Sequence, residues 1–149
     1  MPELKLHEGD RFPVERLSRP LERRTIVFFY PVAFTGGCTR EVRRFNELLP
    51  EFDRAGVDVI GASMDTSERN GAFAEAEGLA YDLDSDPTAE LTDELGIVID
   101  IENYGLRSAR YTYLLEADGT ILRIWQVGGG DAIDAHPDEV LEAVSDPVV

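Results

Sequence analysis

The residues best able to do chemistry surround Cys38, the only cysteine of the 149-residue chain. They form the segment Pro31–Thr39, in which Thr35 places a hydroxyl three residues before the sulfur, able to donate or accept a hydrogen bond. Gly36 and Gly37 let the backbone approach a small substrate closely. If a helix starts here, its free N–H groups lower the pKa of a thiol placed among them. The sequence therefore predicts an active site that holds a cysteine thiolate and binds a small polar oxygen species.

Two other interpretations of this segment stay open. A lone cysteine is commonly a buried, inert, small hydrophobic residue. A Gly-Gly pair before a helix is also able to cradle a phosphate. The phosphate interpretation is weakened because no Gly-Lys-Ser/Thr follows and the chain is strongly acidic.

The elements that would position this segment are a buried strand before it and an amphipathic helix after it. Thr25–Tyr30 is almost continuously apolar and is ended by Pro31, which stiffens the strand exit, a pattern that favours a strand buried on both faces. From Cys38 to Arg54 apolar residues recur at three- and four-residue intervals, which predicts a helix with a kink or break at Pro50.

Further elements follow along the chain. Residues 1–24 are rich in charge and proline and predict loops or short edge strands. Residues 57–64 predict a second buried strand, and a helix should then run to Glu77 with its N-cap within Asp65–Ser67. Another helix is predicted over residues 88–95.

The C-terminal third predicts a hairpin and a final helix. Two apolar runs, 110–115 and 121–127, flank Asp118-Gly119, a strong hairpin signal because glycine takes a positive φ without strain. Pro137 fits the first turn of a helix carrying Val140, Leu141 and Val144. The order of these elements resembles a thioredoxin-like fold. We expect one α/β domain over residues 1–149, a three-layer sandwich with a central mixed β-sheet flanked by helices.

The charge of the chain is unusually negative. Thirty acidic residues face fourteen basic ones, giving −16, and Lys5 is the only lysine. Such a field repels phosphate backbones and anionic lipid, so we expect neither nucleic-acid nor membrane binding. It also destabilises the fold by self-repulsion, which salt would screen. A salty cytoplasm and an arginine-preferring genome both remain open as explanations.

Other composition features exclude several classes of protein. A single cysteine excludes an internal disulfide and a Cys-x-x-Cys redox or zinc pair. His7 and His136 lie far apart without metal-ligand spacing, so we expect packing or surface histidines, no metal and no cofactor. No apolar run approaches the ~20 residues of a membrane helix. The N terminus has no signal-peptide pattern, so a cytoplasmic location is expected.

The residues around Cys38 resemble the peroxiredoxin active-site pattern Pro-x-x-x-Thr-x-x-Cys, filled here by Pro31, Thr35 and Cys38. Residues 29–39 are similar to the one-cysteine and bacterioferritin-comigratory branches of this alkyl hydroperoxide reductase/thiol-specific antioxidant family. The resemblance extends over roughly residues 1–144. It includes Gly61–Asp65, Ser85–Pro87, Glu94–Ile97, Arg110–Leu115 and Gly119–Ile121. It implies a thiol-dependent peroxidase.

The resemblance also implies a role for each matched residue. Cys38 would be the peroxidatic nucleophile, and Thr35 would hydrogen-bond and orient the peroxide. Arg110 would lie beside the sulfur, where its donors stabilise the thiolate and the negative charge that develops on the leaving oxygen. Pro31 would shield the sulfur from bulk water.

Two further assignments have alternatives. Glu41 occupies a position where family members often carry a glutamate that supports the arginine, but an exposed carboxylate is also favoured in a first helical turn. Arg107 is a possible substitute for Arg110, although the spacing to Thr112 favours Arg110.

The implied reaction is attack of the thiolate on a hydroperoxide, which releases water or an alcohol and leaves a sulfenic acid. In the bacterioferritin-comigratory branch a resolving cysteine commonly follows five residues later, but Arg43 occupies that position here. Recycling would then need an external thiol: a low-molecular-weight thiol, a thioredoxin-like protein or the cysteine of a partner. Hydrogen peroxide and organic hydroperoxides, and a monomer and a homodimer, stay open as alternatives.

Other functions compete with the peroxidase. A redox sensor would use the same thiol to regulate a partner with little turnover, and a structural thioredoxin-like domain would carry an inert cysteine. A disulfide oxidoreductase is disfavoured because it needs a second thiol nearby. The presence of Thr35, Cys38 and Arg110 together favours the peroxidase.

Overall fold

The computed structural model describes residues 2–145, which form seven strands and five helices besides a 3-10 helix at Val14–Arg16. The strands are β1 (Thr25–Phe29), β2 (Asp58–Ser63), β3 (Asp82–Ser85), β4 (Val98–Ile101), β5 (Gly105–Ser108), β6 (Tyr111–Leu115) and β7 (Ile121–Gln126). The helices are α1 (Gly36–Glu47), α2 (Leu49–Arg54), α3 (Ser67–Glu77), α4 (Glu90–Leu95) and α5 (Asp131–Ser145). None of these helices is long and apolar enough to cross a membrane.

Five strands form one mixed sheet with β1 at its centre. Their order is β3-β2-β1-β6-β7. β1 and β2 are parallel, as are β2 and β3, whereas β6 runs antiparallel to both β1 and β7. β4 and β5 form a separate antiparallel hairpin that leads directly into the residues before β6.

Helical layers cover both faces of this sheet. Side chains of β1 alternate between the two faces, as the two-residue period of a strand requires. Ile26 and Phe28 pack with residues of α1, α2, α3 and α5. Val27 and Phe29 pack with α4 and with the N-terminal segment. The predicted three-layer sandwich with a central mixed sheet, and the burial of β1 on both faces, are confirmed.

The helix that follows the active-site segment is interrupted near Pro50, as predicted. α1 ends at Glu47 and α2 begins at Leu49, with Leu48 between them. Pro50 lies in the first turn of α2, where its missing N–H loses no helical hydrogen bond. α1 begins at Gly36, earlier than predicted, so Cys38 lies inside its first turn.

The predicted cap and turn residues of α3 and of the hairpin are confirmed. Thr66 is the N-cap of α3, and its hydroxyl oxygen accepts a hydrogen bond from Arg69 N–H at 3.2 Å. β6 and β7 are joined at Asp118-Gly119, where Gly119 has a φ of 95°. Asp118 Oδ1 accepts from Thr120 N–H at 2.9 Å, which closes the turn.

The prediction for Pro137 is wrong, because α5 begins at Asp131 and Pro137 lies inside it. Ile133, His136 and Val140 of α5 are buried together with the proline. Burial of this face outweighs the backbone hydrogen bond that an interior proline removes. The three short strands β3, β4 and β5 were also not predicted.

Candidate active site

Cys38 lies on the side of α1 that faces the core. Its exposed fraction is 0%, and it belongs to the cluster that contains Val42 and Phe45. Thr35 is the N-cap of α1, and its carbonyl accepts from Thr39 N–H at 2.9 Å. The N–H groups of this helix start place partial positive charge around the sulfur.

Arg110, in the residues just before β6, reaches across to the start of α1. Its Nη2 donates to Cys38 Sγ at 3.0 Å, and its Nη1 donates to Glu41 Oε1 at 2.8 Å. The carbonyl of Arg110 accepts from Val127 N–H at 3.0 Å, which ties its backbone to the end of β7. One guanidinium therefore contacts both the sulfur and a carboxylate.

The guanidinium passes over Gly37, where no larger residue fits without a shift. A Cβ at this position would lie 3.1 Å from Arg110 Nη2 and 3.1 Å from Ile133 Cδ1. Both distances are tighter than ordinary van der Waals contact, so a methyl group would push on the arginine. Glycine at this position therefore leaves Arg110 room to approach the start of α1 without displacement.

Glu41 is buried on the same side of α1 as Cys38, with an exposed side-chain fraction of 1%. Burial raises the pKa of its carboxyl from 4.5 to about 7, although the charge and hydrogen bond of Arg110 oppose this shift. Oε2 has no hydrogen-bond partner among the described residues. The alternative of an exposed carboxylate in the first turn is therefore wrong, and the contact with Arg110 is the one that the resemblance implied.

Thr35 and Pro31 belong to the active-site loop, which we define as residues 31–35. The Thr35 hydroxyl donates to the Val32 carbonyl at 2.7 Å, so its oxygen lone pairs are left to accept from another donor. Pro31 and Arg110 line the same open groove of about 400 Å³, together with Tyr111.

Arg107 does not contact the sulfur. Its Nη1 donates instead to Asp65 Oδ1 at 3.0 Å, so the geometry selects Arg110 between the two candidates. Asp65 is buried, whereas the sequence suggested only a possible N-cap. The signal that could have identified it is its position two residues after the end of the buried strand β2, at the C-terminal edge of the parallel part of the sheet.

The histidines behave as expected from the sequence. His7 is exposed, whereas His136 is buried, and its Nε2 lies 2.7 Å from Thr112 Oγ1. Burial lowers the pKa of His136 to about 4, with a further contribution from the charge of Arg110. His136 is therefore neutral at ordinary pH and packs against Phe45.

The arrangement is that of a reactive thiol. A sulfur in a hydrocarbon core has no polar contact, whereas Cys38 Sγ accepts a hydrogen bond from a permanently charged guanidinium. The same guanidinium offers further N–H donors, which suit an oxygen atom that gains negative charge. The site therefore combines a nucleophile with charge stabilisation for an oxygen leaving group.

Comparison with known proteins agrees with this chemistry. The AhpC/TSA family model matches residues 1–124. Peroxiredoxin Bcp of Xanthomonas campestris pv. campestris is 34% identical over 122 residues, which span 80% of this chain and 74% of that protein. A cysteine-to-serine mutant of Xylella fastidiosa PrxQ is similar in structure, with 25% identity, a TM-score of 0.82 and coverage of 95% of this chain and 97% of that one.

A second solved structure is similar over the same extent. The Xanthomonas campestris bacterioferritin comigratory protein, studied for its alkyl peroxide reduction activity, is 28% identical, with a TM-score of 0.76 and coverage of 95% of this chain and 97% of that one. The chain belongs to the AhpC/TSA family and is a peroxiredoxin, a thiol-dependent peroxidase.

Proposed function

We propose that the protein reduces hydrogen peroxide or organic hydroperoxides at Cys38, with Arg110, Thr35, Pro31 and Glu41 completing the active site. The observation that carries this proposal is the 3.0 Å hydrogen bond from Arg110 Nη2 to Cys38 Sγ. The two residues are 72 positions apart in sequence, so their contact depends on the pairing of β1 with β6.

In the first half-reaction the Cys38 thiolate attacks the terminal oxygen of the hydroperoxide. An S–O bond forms as the O–O bond breaks, and the sulfur is oxidised to a sulfenic acid. The other oxygen leaves with the electron pair of the broken bond and takes up a proton, giving water or an alcohol. Arg110 stabilises the thiolate before attack and the leaving oxygen during it.

Thr35 and Glu41 orient the reacting groups. Because the Thr35 hydroxyl donates its hydrogen to Val32, its oxygen accepts the O–H of a hydroperoxide and directs the terminal oxygen toward the sulfur. Glu41 holds Nη1 of Arg110 while Nη2 faces Cys38, which fixes the plane of the guanidinium. Pro31, at the edge of the groove, limits the access of water.

An external thiol completes the cycle. The chain has one cysteine, and the position five residues later holds Arg43, which is paired with Glu77. A first external thiol condenses with the sulfenic acid, releasing water and forming a mixed disulfide. A second thiol then releases reduced Cys38 and carries away the disulfide. A low-molecular-weight thiol or a thioredoxin-like protein supplies these equivalents.

Organic hydroperoxides are included because of two observations. The Xanthomonas campestris bacterioferritin comigratory protein is described by its alkyl peroxide reduction activity. In this chain a groove reaches the site through Arg110 and Pro31, although Cys38 itself does not line it, and its apolar residues, including Ile99 and Val127, suit an alkyl group.

A single-turnover experiment tests the proposal. Reduced protein is mixed with one equivalent of hydrogen peroxide or an alkyl hydroperoxide, and the sulfenic acid at Cys38 is trapped with dimedone and located by mass spectrometry. We expect oxidation to be orders of magnitude faster than that of a free thiol, and we expect Cys38→Ser to show none. Oxidation of the wild type at the rate of an ordinary thiol would contradict the proposed function.

A further inference from the structure

We propose that Asp65 is a positioning residue for the peroxidase site, whose buried carboxylate holds the active-site loop and the strand before Arg110 in a fixed relative position. This inference rests on the proposed function of Cys38. It concerns a residue that touches neither the sulfur nor, in the mechanism above, the substrate.

The carboxylate of Asp65 is buried, with an exposed side-chain fraction of 0%, and its partners lie in four segments, the active-site loop, β2, α3 and β5. Oδ2 accepts from Ala33 N–H at 2.9 Å and from Ser63 Oγ at 2.8 Å. Oδ1 lies 3.0 Å from Arg107 Nη1 and 3.2 Å from Arg69 Nε. A buried carboxylate is favourable only when its lone pairs are filled in this way.

The first set of contacts made by Asp65 and Arg69 holds the active-site loop. Asp65 binds the N–H of Ala33, and Arg69 Nη2 donates to the carbonyl of the same residue at 3.0 Å. The next residue, Phe34, has a φ of 70°, a conformation that is strained for an aromatic residue. The Arg69 guanidinium covers the Phe34 ring at 5.1 Å, and Phe73 packs against it at 5.0 Å. These contacts hold a backbone that would otherwise relax.

The strain matters because Thr35, the N-cap of α1, directly follows Phe34. A change in φ at Phe34 would rotate the chain that carries Thr35 and would shift the first turn of α1. Cys38 lies in that turn, so its distance to Arg110 would change as well.

A second contact of Asp65 holds the segment that carries Arg110. Arg107 lies in β5, three residues before Arg110, and its side chain ends on the Asp65 carboxylate. Asp65 thereby links the loop that carries Cys38 to the chain that carries Arg110. The hydrogen bond between the guanidinium and the sulfur needs both sides in place.

A purely structural role for Asp65 makes a different prediction. Thr66 already caps α3, so Asp65 is not needed to start that helix. If Asp65 only stabilised the fold, substitution would lower the free energy of unfolding and leave the folded molecules as reactive as before. A positioning role changes the reactivity of the folded molecules themselves.

The decisive experiment compares two reactions of the same sulfur in Asp65→Asn and Asp65→Ala. The first is oxidation by hydrogen peroxide, which needs the aligned site, and the second is alkylation by iodoacetamide, which needs access to the buried sulfur. We expect the peroxide rate constant to fall about tenfold or more in Asp65→Asn and roughly 100-fold in Asp65→Ala, as for an ångström-scale misplacement. Alkylation is followed at a pH high enough to ionise the thiol in every variant, so that it reports access alone, and its rate should rise in both variants because a loosened loop leaves the buried sulfur more accessible.

Asp84→Asn is the matched control. Asp84 is another largely buried aspartate, and it also binds a backbone N–H, that of Ser18, at 2.8 Å. It lies in β3 at the edge of the sheet, so the control should lose stability while both rate constants stay near those of the wild type.

Arg69→Gln keeps the inference testable if the Asp65 variants do not fold. The Arg69 side chain is 48% exposed, so its loss leaves the core intact while releasing the Ala33 carbonyl and the Phe34 ring. We expect the same opposite changes, with a peroxide rate constant lower by roughly tenfold. Arg24→Gln, which removes a surface pairing with Glu116, should change neither rate.

The outcomes separate the two proposals. A slow wild-type reaction with peroxide contradicts the proposed function itself. A fast wild type together with folded Asp65 or Arg69 variants that react equally fast overturns the positioning role and leaves the peroxidase intact. A fall in peroxide reactivity with a rise in alkylation supports it.

Discussion

Replacing Glu41 with glutamine tests whether a buried carboxylate destabilises this fold at neutral pH. Glu41 receives one hydrogen bond from Arg110 at 2.8 Å, and its Oε2 has no partner among the described residues. Burial raises the pKa of Glu41 from 4.5 to about 7. At about 1.36 kcal/mol per pKa unit, ionisation of Glu41 costs the folded state about 3 kcal/mol relative to the protonated form.

The direction of the pH dependence follows from the raised pKa. The protonated side chain contributes its full stability below about pH 4.5, and this contribution is lost as the pH rises through about 7. Glutamine is neutral at every pH and mimics the protonated form. We therefore expect the free energy of unfolding of Glu41→Gln, minus that of the wild type, to rise by about 3 kcal/mol between about pH 4.5 and about pH 8.

Urea unfolding of the reduced proteins across this pH range measures the difference directly. All other titratable groups are common to the two chains, so most of their contributions cancel. Glu116→Gln, which removes an exposed carboxylate paired with Arg24, is the control and should show only a small change. A difference that stays flat, or that falls with rising pH, would refute the reasoning, because Arg110 would then stabilise the carboxylate more than burial destabilises it.

Three further predictions concern the site and the surface. Arg110→Lys keeps the positive charge but loses the two-pronged guanidinium that contacts Cys38 and Glu41 together. The rate constant with hydrogen peroxide, measured by stopped flow, should therefore fall roughly 100-fold, and an unchanged rate constant would contradict the role of Arg110. Gly37→Ala should lower the unfolding free energy by about 1–3 kcal/mol and slow peroxide reduction, because the added Cβ meets Arg110 and Ile133. Since the net charge is −16, the melting temperature should rise between about 0.1 M and about 1 M salt, and a constant value would contradict net self-repulsion.

The parts of the fold that were predicted are those in which local pattern and packing agree. β1 is continuously apolar because both of its faces are covered, and the Asp118-Gly119 turn needs a positive φ that glycine supplies. β3 was missed because it is only four residues long, Asp82–Ser85, and all of them except Leu83 are charged or polar. Its pairing with β2 is a long-range contact with little local signal. The prediction for Pro137 was wrong for a related reason, because burial along α5 outweighs the preference of proline for the first turn of a helix.

The site was predictable only where residue types repeat a known pattern. The spacing within the short segment around Cys38 is enough to identify Thr35 as a site residue. No local pattern connects this segment to Arg110, and only the family resemblance predicted that contact. Asp65 shows the opposite case. An aspartate beside a threonine and a serine normally indicates an exposed helix cap, and only the folded chain shows that Arg69 and Arg107 converge on it.

Burial of the sulfur places opposite demands on the two halves of the catalytic cycle. Oxidation needs Cys38 held against Arg110, and a hydroperoxide, which reacts through its terminal oxygen, needs little space at the sulfur. Reduction needs an external thiol to contact the oxidised sulfur, and a sulfur with an exposed fraction of 0% is not accessible to a larger molecule. A chain with one cysteine has no internal thiol to make this approach from within. If Asp65 and Arg69 position the loop as proposed, their contacts favour oxidation and oppose recycling, so variants that loosen the loop should slow the reaction with peroxide and speed the reduction of the oxidised sulfur.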